Sequence, residues 1–226
     1  MKLCIVDTKS ANFNSVVQAL KRLGVEPHIS ADLNELKQAD KLIMPGVGSA
    51  LAVTAGLLGC SLESAAACLL SGNAQDSALI DFIKHYDKPL LGICLGMQVQ
   101  AEASTEVPQG STQESIKTLG LVPGTVHRLK VTTGEGAHRT SLPLPHMGWN
   151  TVSHNNHPLF KGIPEQSYFY FVHSYCLDVG APTIATCTYG QPFSAAIAKD
   201  NFMGVQFHPE KSGAVGAQLL QNFIDL

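Results

Sequence analysis

Leu90-Leu91-Gly92-Ile93-Cys94-Leu95-Gly96-Met97-Gln98 is the stretch on which the fold turns. An apolar run of strand type ends at Ile93 and a helical pattern starts at Cys94, with Gly-x-Cys-x-Gly across the junction. This is the form of a nucleophile elbow, a turn from strand to helix so tight that the residue at its tip takes a strained backbone conformation. The two glycines remove side chains that would strike neighbouring strands or helices. At a helix N-terminus the local positive field favours a thiolate on Cys94, and the Leu95 N–H points towards an oxyanion formed at the attacked carbon. A lone cysteine at a strand end is more often a small core hydrophobe. The glycines and the strand-to-helix junction reverse that preference here. The other cysteines, Cys4, Cys60, Cys68, Cys176 and Cys187, lack this setting and read as structural.

Upstream of the elbow, strand and helix patterns alternate. Leu3–Val6 reads as a buried strand, Ser15–Leu23 as a helix ended by Gly24, 27–29 as a strand, and Leu33–Leu36 as a short helix. Leu42–Met44 reads as a third strand stopped by Pro45-Gly46. The stretch from Leu51 to Leu70 is rich in Ala and Leu and reads as helix, with a break at 71–73 and a second helix from Asp76. Such alternation implies an α/β fold of three layers, a mainly parallel central sheet with helices on both faces. Downstream, shorter β-type runs occur at 124–131, 168–172, 183–188, 195–198 and 203–206, as hairpins attached to that core. A helix from Ala214 to Phe223 closes the chain, and 109–117 and 132–141 read as polar loops. No linker divides residues 1–226, so one domain is expected.

Composition narrows the function. Hydrophobic residues make up 45% and charged residues 15%, enough apolar material for a sizeable core. A formal net charge of −3 gives no basic field for nucleic acid or an anionic membrane. No apolar run has the length of a membrane span. The start is too soon charged for a signal peptide, and no cysteine pair has Cys-x-x-Cys spacing, so a reducing, cytoplasmic setting is expected. Neither a metal nor a cofactor is expected; His154 and His157 read as a surface turn.

A cysteine nucleophile needs a base, and the base needs an acceptor that fixes its tautomer. The best of the nine histidines is in Gly204-Val205-Gln206-Phe207-His208-Pro209-Glu210. Read as a strand through Phe207, the segment places His208 and Glu210 two residues apart, so they project together. A strand-end histidine in a turn fits the motif alone equally well. Pro45-Gly46-Val47-Gly48-Ser49 after the third strand is open to three readings: an oxyanion loop, a phosphate cradle without its Walker lysine, or an ordinary turn. Spacing does not choose among them.

Together the three segments resemble the class I, or triad, glutamine amidotransferases, with Pro-Gly-x-Gly, Gly-x-Cys-x-Gly and His-Pro-Glu in the family's order and at similar spacing. The strings Leu142–Asn150 (LPLPHMGWN), Tyr168–Tyr175 (YFYFVHSY), Gly204–Gly213 (GVQFHPEKSG) and Asn12–Val16 resemble the glutaminase subunits of imidazole glycerol phosphate synthase over nearly the whole chain. The resemblance implies a flavodoxin-like amidotransferase fold in which Cys94 attacks the glutamine carboxamide, His208 is base and then acid, and Glu210 holds His208. It implies oxyanion contacts from Gly46, Val47 and Leu95, and glutamine contacts from Gln98, Glu106, His173, Ser174 and Tyr175. It also implies a heterodimer with a (β/α)₈-barrel cyclase subunit, with Asn12 and Lys199 on the contacting side. Ammonia passes to that subunit, which makes imidazole glycerol phosphate and aminoimidazole carboxamide ribotide in histidine biosynthesis. A barrel alone needs roughly 250 residues, so the acceptor site is expected on another polypeptide, and the lone chain is expected to be nearly inactive. The sequence departs from the family pattern in lacking a glycine before Asn12 and in a longer stretch between Gly48 and Pro89, through 58–73. The rival readings are a glutaminase subunit of anthranilate or aminodeoxychorismate synthase, a free-standing γ-glutamyl hydrolase, and a catalytically silent subunit.

Overall fold

The computed structural model of the chain describes residues 1–9, 13–72, 74–133 and 140–226. The first half builds β1 (Leu3–Val6), α1 (Phe13–Arg22), β2 (His28–Ser30), α2 (Leu33–Leu36), β3 (Lys41–Gly46), α3 (Ala50–Leu58), α4 (Leu62–Leu70), α5 (Ala78–Lys84), β4 (Leu90–Cys94) and α6 (Leu95–Gln98). Every residue of β1, β3 and β4 is buried. That is why these strands read as unbroken apolar runs: a central parallel strand is covered on both faces. α1 buries Val16, Ala19 and Leu20, one stripe at helical spacing. It ends at Gly24, whose φ of 78° only glycine adopts freely.

β3 is longer than the sequence suggests. It runs through Pro45 and Gly46, which pair with Ile93 and Cys94 of β4. Proline is tolerated because its carbonyl, and therefore its missing N–H, points away from β4, to the side where the β1 ladder ends at Ile43. There the Thr8 hydroxyl donates to Pro45 O at 3.3 Å. The Ala- and Leu-rich stretch is likewise two helices rather than one. Gly59 takes the left-handed conformation at φ 70°, and Ser61 caps the next helix by accepting from Ser64 N. The axes of α3 and α4 are bent by 101°, and α4 fills most of 58–73, where the stretch between Gly48 and Pro89 is extended. Among the described residues no single helix is long and apolar enough to cross a membrane.

The second half adds β5 (Ala103–Ser104), β6 (Ile116–Lys117), β7 (Thr125–Arg128), β8 (Thr132–Thr133), β9 (Thr140–Ser141), β10 (His146–His154), β11 (Ser167–His173), β12 (Tyr175–Leu177), β13 (Thr183–Tyr189), β14 (Gln191–Lys199), β15 (Phe202–Val205) and α7 (Gly213–Asp225). One nine-stranded sheet runs in the order β11-β10-β13-β14-β15-β4-β3-β1-β2. The five strands from β15 to β2 are parallel, and the links from β15 out to β11 are antiparallel. The antiparallel strands therefore extend the sheet itself beyond its parallel core of five strands. β10 escapes a reading by composition because its Gly148, Asn150 and flanking prolines are poor strand formers. Right-handed crossovers put α1 on one face and the β3-to-β4 helices on the other. A smaller sheet, β12-β7-β5-β6, packs Val126 and Leu177 with Met97 of α6 and Ile197 of β14.

Candidate active site

The carboxyl ends of β3, β4 and β15 lie side by side, the edge at which open α/β sheets bind ligands. β4 ends at Cys94, whose φ is 54° and ψ −109°, and α6 starts at once. The strain is held by close packing. A Cβ on Gly96 would lie 1.6 Å from the Met44 carbonyl oxygen, and one on Gly92 would lie 2.4 Å from Gly96 O. Gly46 is part of the same interlock, since its Cβ would lie 2.8 Å from Leu95 Cβ and Val53 Cγ2. α6 is only one turn long.

His208 and Glu210 come together by a different route from strand alternation. The strand stops at Val205, and Pro209–Lys211 forms a 3₁₀ turn closed by Lys211 N donating to His208 O at 3.0 Å. The turn brings Glu210 Oε1 to 2.8 Å from His208 Nδ1. Both side chains are buried, and the Glu210 partner fixes the proton on Nδ1. Nε2 has no hydrogen-bond partner among the described residues. The Cys94 thiol contact falls short of hydrogen-bond geometry, yet it is close enough to act on the ring. Burial opposes charge on His208, but its interactions with Cys94 and Glu210 outweigh that and its pKa is pushed up to about 10.

The Cys94 sulfur meets two further groups: the Val172 carbonyl at 3.9 Å and the Gln206 side-chain amide, which donates from Nε2 at 3.8 Å. Gln206 Oε1 accepts from Gln98 Nε2 at 2.9 Å, and Gln98 Nε2 also donates to Tyr175 O at 2.9 Å. Gln98 Oε1 is buried with no partner among the described residues. On the far side of Tyr175 O, His173 Nδ1 donates at 2.8 Å, and His173 Nε2 lies 3.0 Å from His146 Nδ1. His146 and His173 are cross-strand partners in the β10–β11 register. His146 is also stacked between Phe171 and Tyr189. Burial pushes the imidazoles of His146 and His173 down, to about 4 and about 3.

A cavity of about 330 Å³ opens onto these groups. Cys94, Leu95, Gln98 and His208 line it, as do Val47, Glu106 and the His173-Ser174-Tyr175 segment. Glu106 spans two elements: its Oε2 accepts from Ala50 N at 2.7 Å, at the start of α3, and burial pushes its carboxyl up. Gly46 does not reach the cavity wall and acts in packing. A larger cavity of about 900 Å³ between α3 and α5 is walled mainly by apolar side chains, and no histidine lines it. Cys176 and Cys187 are inert by comparison, since burial pushes both thiols up to about 12.

Lys199 is not at the mouth. It ends β14 opposite Phe202, which pairs with Leu90, so it lies at the other end of β4 from Cys94, about 13 Å away at strand rise. The antiparallel course of β14 carries its last residue to that end, away from the side the resemblance implies for Lys199. Lys211, in the 3₁₀ turn, lines the cavity instead. Asn12 lies outside the described residues. Gln206, His146 and Lys211 stand in strings already singled out, but a buried polar side chain in a strand gives no signal until its partners are known. Among the described residues no group of three or more His, Cys, Asp or Glu could hold a metal ion.

A family model described as "Glutamine amidotransferase class-I" matches residues 4–226. Imidazole glycerol phosphate synthase subunit HisH of Vibrio cholerae is 48% identical over 223 residues, covering 98% of this chain and 97% of that one. The same subunit of Shewanella loihica is 44% identical, covering 98% and 89%. Among solved structures, one from Thermoplasma acidophilum, titled as a putative GMP synthase subunit, superposes with a TM-score of 0.65 at 20% identity, covering 100% of this chain and 92% of that one. A second, titled as a glutamine amidotransferase, gives 0.64 at 17% identity, covering 98% and 97%. These last two are similar in fold.

Proposed function

The chain belongs to the class I glutamine amidotransferases, and on that premise we propose how its site divides the work of releasing ammonia from glutamine. The protein is the glutamine amidotransferase subunit of an imidazole glycerol phosphate synthase and serves histidine biosynthesis. Cys94 gives up its proton to His208 Nε2 and its sulfur attacks the carboxamide carbon. The Leu95 N–H and the peptide at Val47 receive the oxyanion. His208 returns the proton to the leaving ammonia, and Glu210 holds the ring for both transfers. A water deprotonated by His208 then cleaves the thioester, and glutamate leaves. Gln98, Glu106, His173, Ser174 and Tyr175 hold the substrate; Gln98 Oε1, without a partner among the described residues, is an acceptor for one of its N–H groups.

The observation that carries this reading is the setting of His208. Nδ1 is tied to Glu210 at 2.8 Å, while Nε2 has no hydrogen-bond partner among the described residues and lies beside a cysteine strained to φ 54°. The ammonia goes to a partner subunit, in our reading a cyclase with a (β/α)₈ barrel. The whole chain acts as one amidotransferase domain in a heterodimer with it. The partner's seat includes Lys211 at the mouth and the exposed face formed by Met147, Trp149 and Tyr168.

Glutaminase activity of the chain alone, then with a purified cyclase and its nucleotide ligand, tests the proposal. Stimulation that is lost in Cys94→Ala is expected. Full activity of the lone chain would make it a free-standing hydrolase instead.

A further inference from the structure

The side chain of Gln206 belongs to no step above, yet it is fully buried against the reacting sulfur. Which end of its amide faces the sulfur follows from the neighbours. Gln98 Nε2 donates to the Tyr175 carbonyl, which can only accept, so this end of Gln98 is its NH₂ group. Its second hydrogen bond therefore requires an oxygen on Gln206, and that leaves the Gln206 NH₂ directed at Cys94 Sγ. The same hydrogen bonds turn the other end of Gln98, Oε1, away from Gln206; it has no partner among the described residues, and Gln98 lines the cavity. The backbone that carries Gln206 is pinned and its side chain is enclosed. Its N–H donates to Ala195 O at 2.8 Å, it follows Val205, which pairs with Ile93 next to the nucleophile, and the residue is fully buried.

We propose that Gln206 is a further functional residue of the glutaminase site, with two linked roles. Its amide N–H stabilises negative charge on the Cys94 sulfur before attack, and its carbonyl holds Gln98 in the orientation that presents Oε1 to the substrate. The chemistry is that of a hydrogen bond to a charged atom, stronger for the thiolate than for the thiol. Gln206 forms no bond with substrate and transfers no proton. The inference rests on Cys94 being the nucleophile, but its first role concerns the sulfur alone and can be read without turnover.

The test is the pH dependence of Cys94 alkylation by iodoacetamide, followed at the Cys94 peptide by mass spectrometry so that exposed Cys60 and Cys68 do not interfere. Wild type, Gln206→Met and Gln206→Glu are compared, with urea melts to establish folding. Gln206→Glu keeps the acceptor for Gln98 and replaces the donor with a carboxyl group. Near neutral pH both variants are expected to alkylate about tenfold more slowly than wild type, the size of one hydrogen bond to a charged group. The rates should converge with wild type at high pH. The KM for glutamine should rise more in Gln206→Met, which also frees Gln98, than in Gln206→Glu. Superimposable alkylation profiles would overturn the proposal, and so would an equal slowing at every pH, which marks a merely structural residue. If the alkylation result holds but Cys94→Ala retains stimulated glutaminase activity, the catalytic reading fails and the sulfur–Gln206 interaction stands.

Discussion

Three buried imidazoles set opposite demands on pH. His146 and His173 are held neutral by burial, with pKa values lowered to about 4 and about 3. Unfolded, each would titrate near 6.5. Below about 6.5 the unfolded chain therefore binds more protons than the folded one, and stability falls as the pH drops towards 4. His208 is the reverse case. Raised to about 10, it contributes stability that is fully present below about 6.5 and lost as pH rises through about 10. Urea midpoints from pH 4.5 to 9.5 should trace both limbs, with His173→Gln flattening the acid limb and His208→Gln the alkaline one. An acid limb unchanged in His173→Gln would refute the first assignment. Cys94 was legible in the sequence because the elbow constrains its neighbours as well as itself. Gln206 and His146 were not, because their partners lie across the sheet, 112 and 27 residues away in sequence.

At the scale of elements, the site depends on how the 3₁₀ turn after β15 is fastened to β11. Ser212 Oγ donates to His208 O at 2.6 Å and accepts from Tyr170 N at 3.0 Å, while His208 N donates to Tyr170 O at 2.9 Å. Ser212 is buried, so Ser212→Ala leaves the Tyr170 N–H unpaired and should cost about 1–3 kcal/mol. It should also lower stimulated turnover, because the turn that pairs His208 with Glu210 loses its tie. Denaturation and steady-state rates measure the two effects; normal turnover in a destabilised variant would separate the tie from catalysis. Such turns are poorly legible in sequence. His-Pro-Glu fits an extended strand and a 3₁₀ turn alike, and both bring the two side chains together. β1, β3 and β4 were readable because burial on both faces leaves them almost wholly apolar. β10 was not, since Met147 and Trp149 face outward there and the pattern that marks a half-buried strand is inverted.

Across the whole molecule, the parallel half of the sheet presents Cys94, the proposed nucleophile, and the antiparallel half presents its surroundings. β10 and β11 form the outer border, where Met147, Trp149 and Tyr168 are 66%, 55% and 59% exposed. An apolar face of this kind marks an interaction site. It lies beside the chemistry, since the Tyr170 and Val172 carbonyls of β11 meet His208 N and the Cys94 sulfur. The double variant Met147→Ser, Trp149→Ser should weaken binding of the partner subunit proposed above at least tenfold, about 1.4 kcal/mol, with an unchanged melting temperature. Isothermal titration would settle it: undiminished affinity places the partner elsewhere. The interlock of Gly46, Gly92 and Gly96 bears on inheritance. At Gly92 and Gly96 a side chain would strike backbone, and at Gly46 it would displace Leu95 or Val53, whether or not the sulfur ever reacts. A descendant that lost Cys94 but kept the fold would still have to carry the two elbow glycines. The glycine signature therefore records ancestry of shape, and only the residue between them, with its histidine, records a living enzyme.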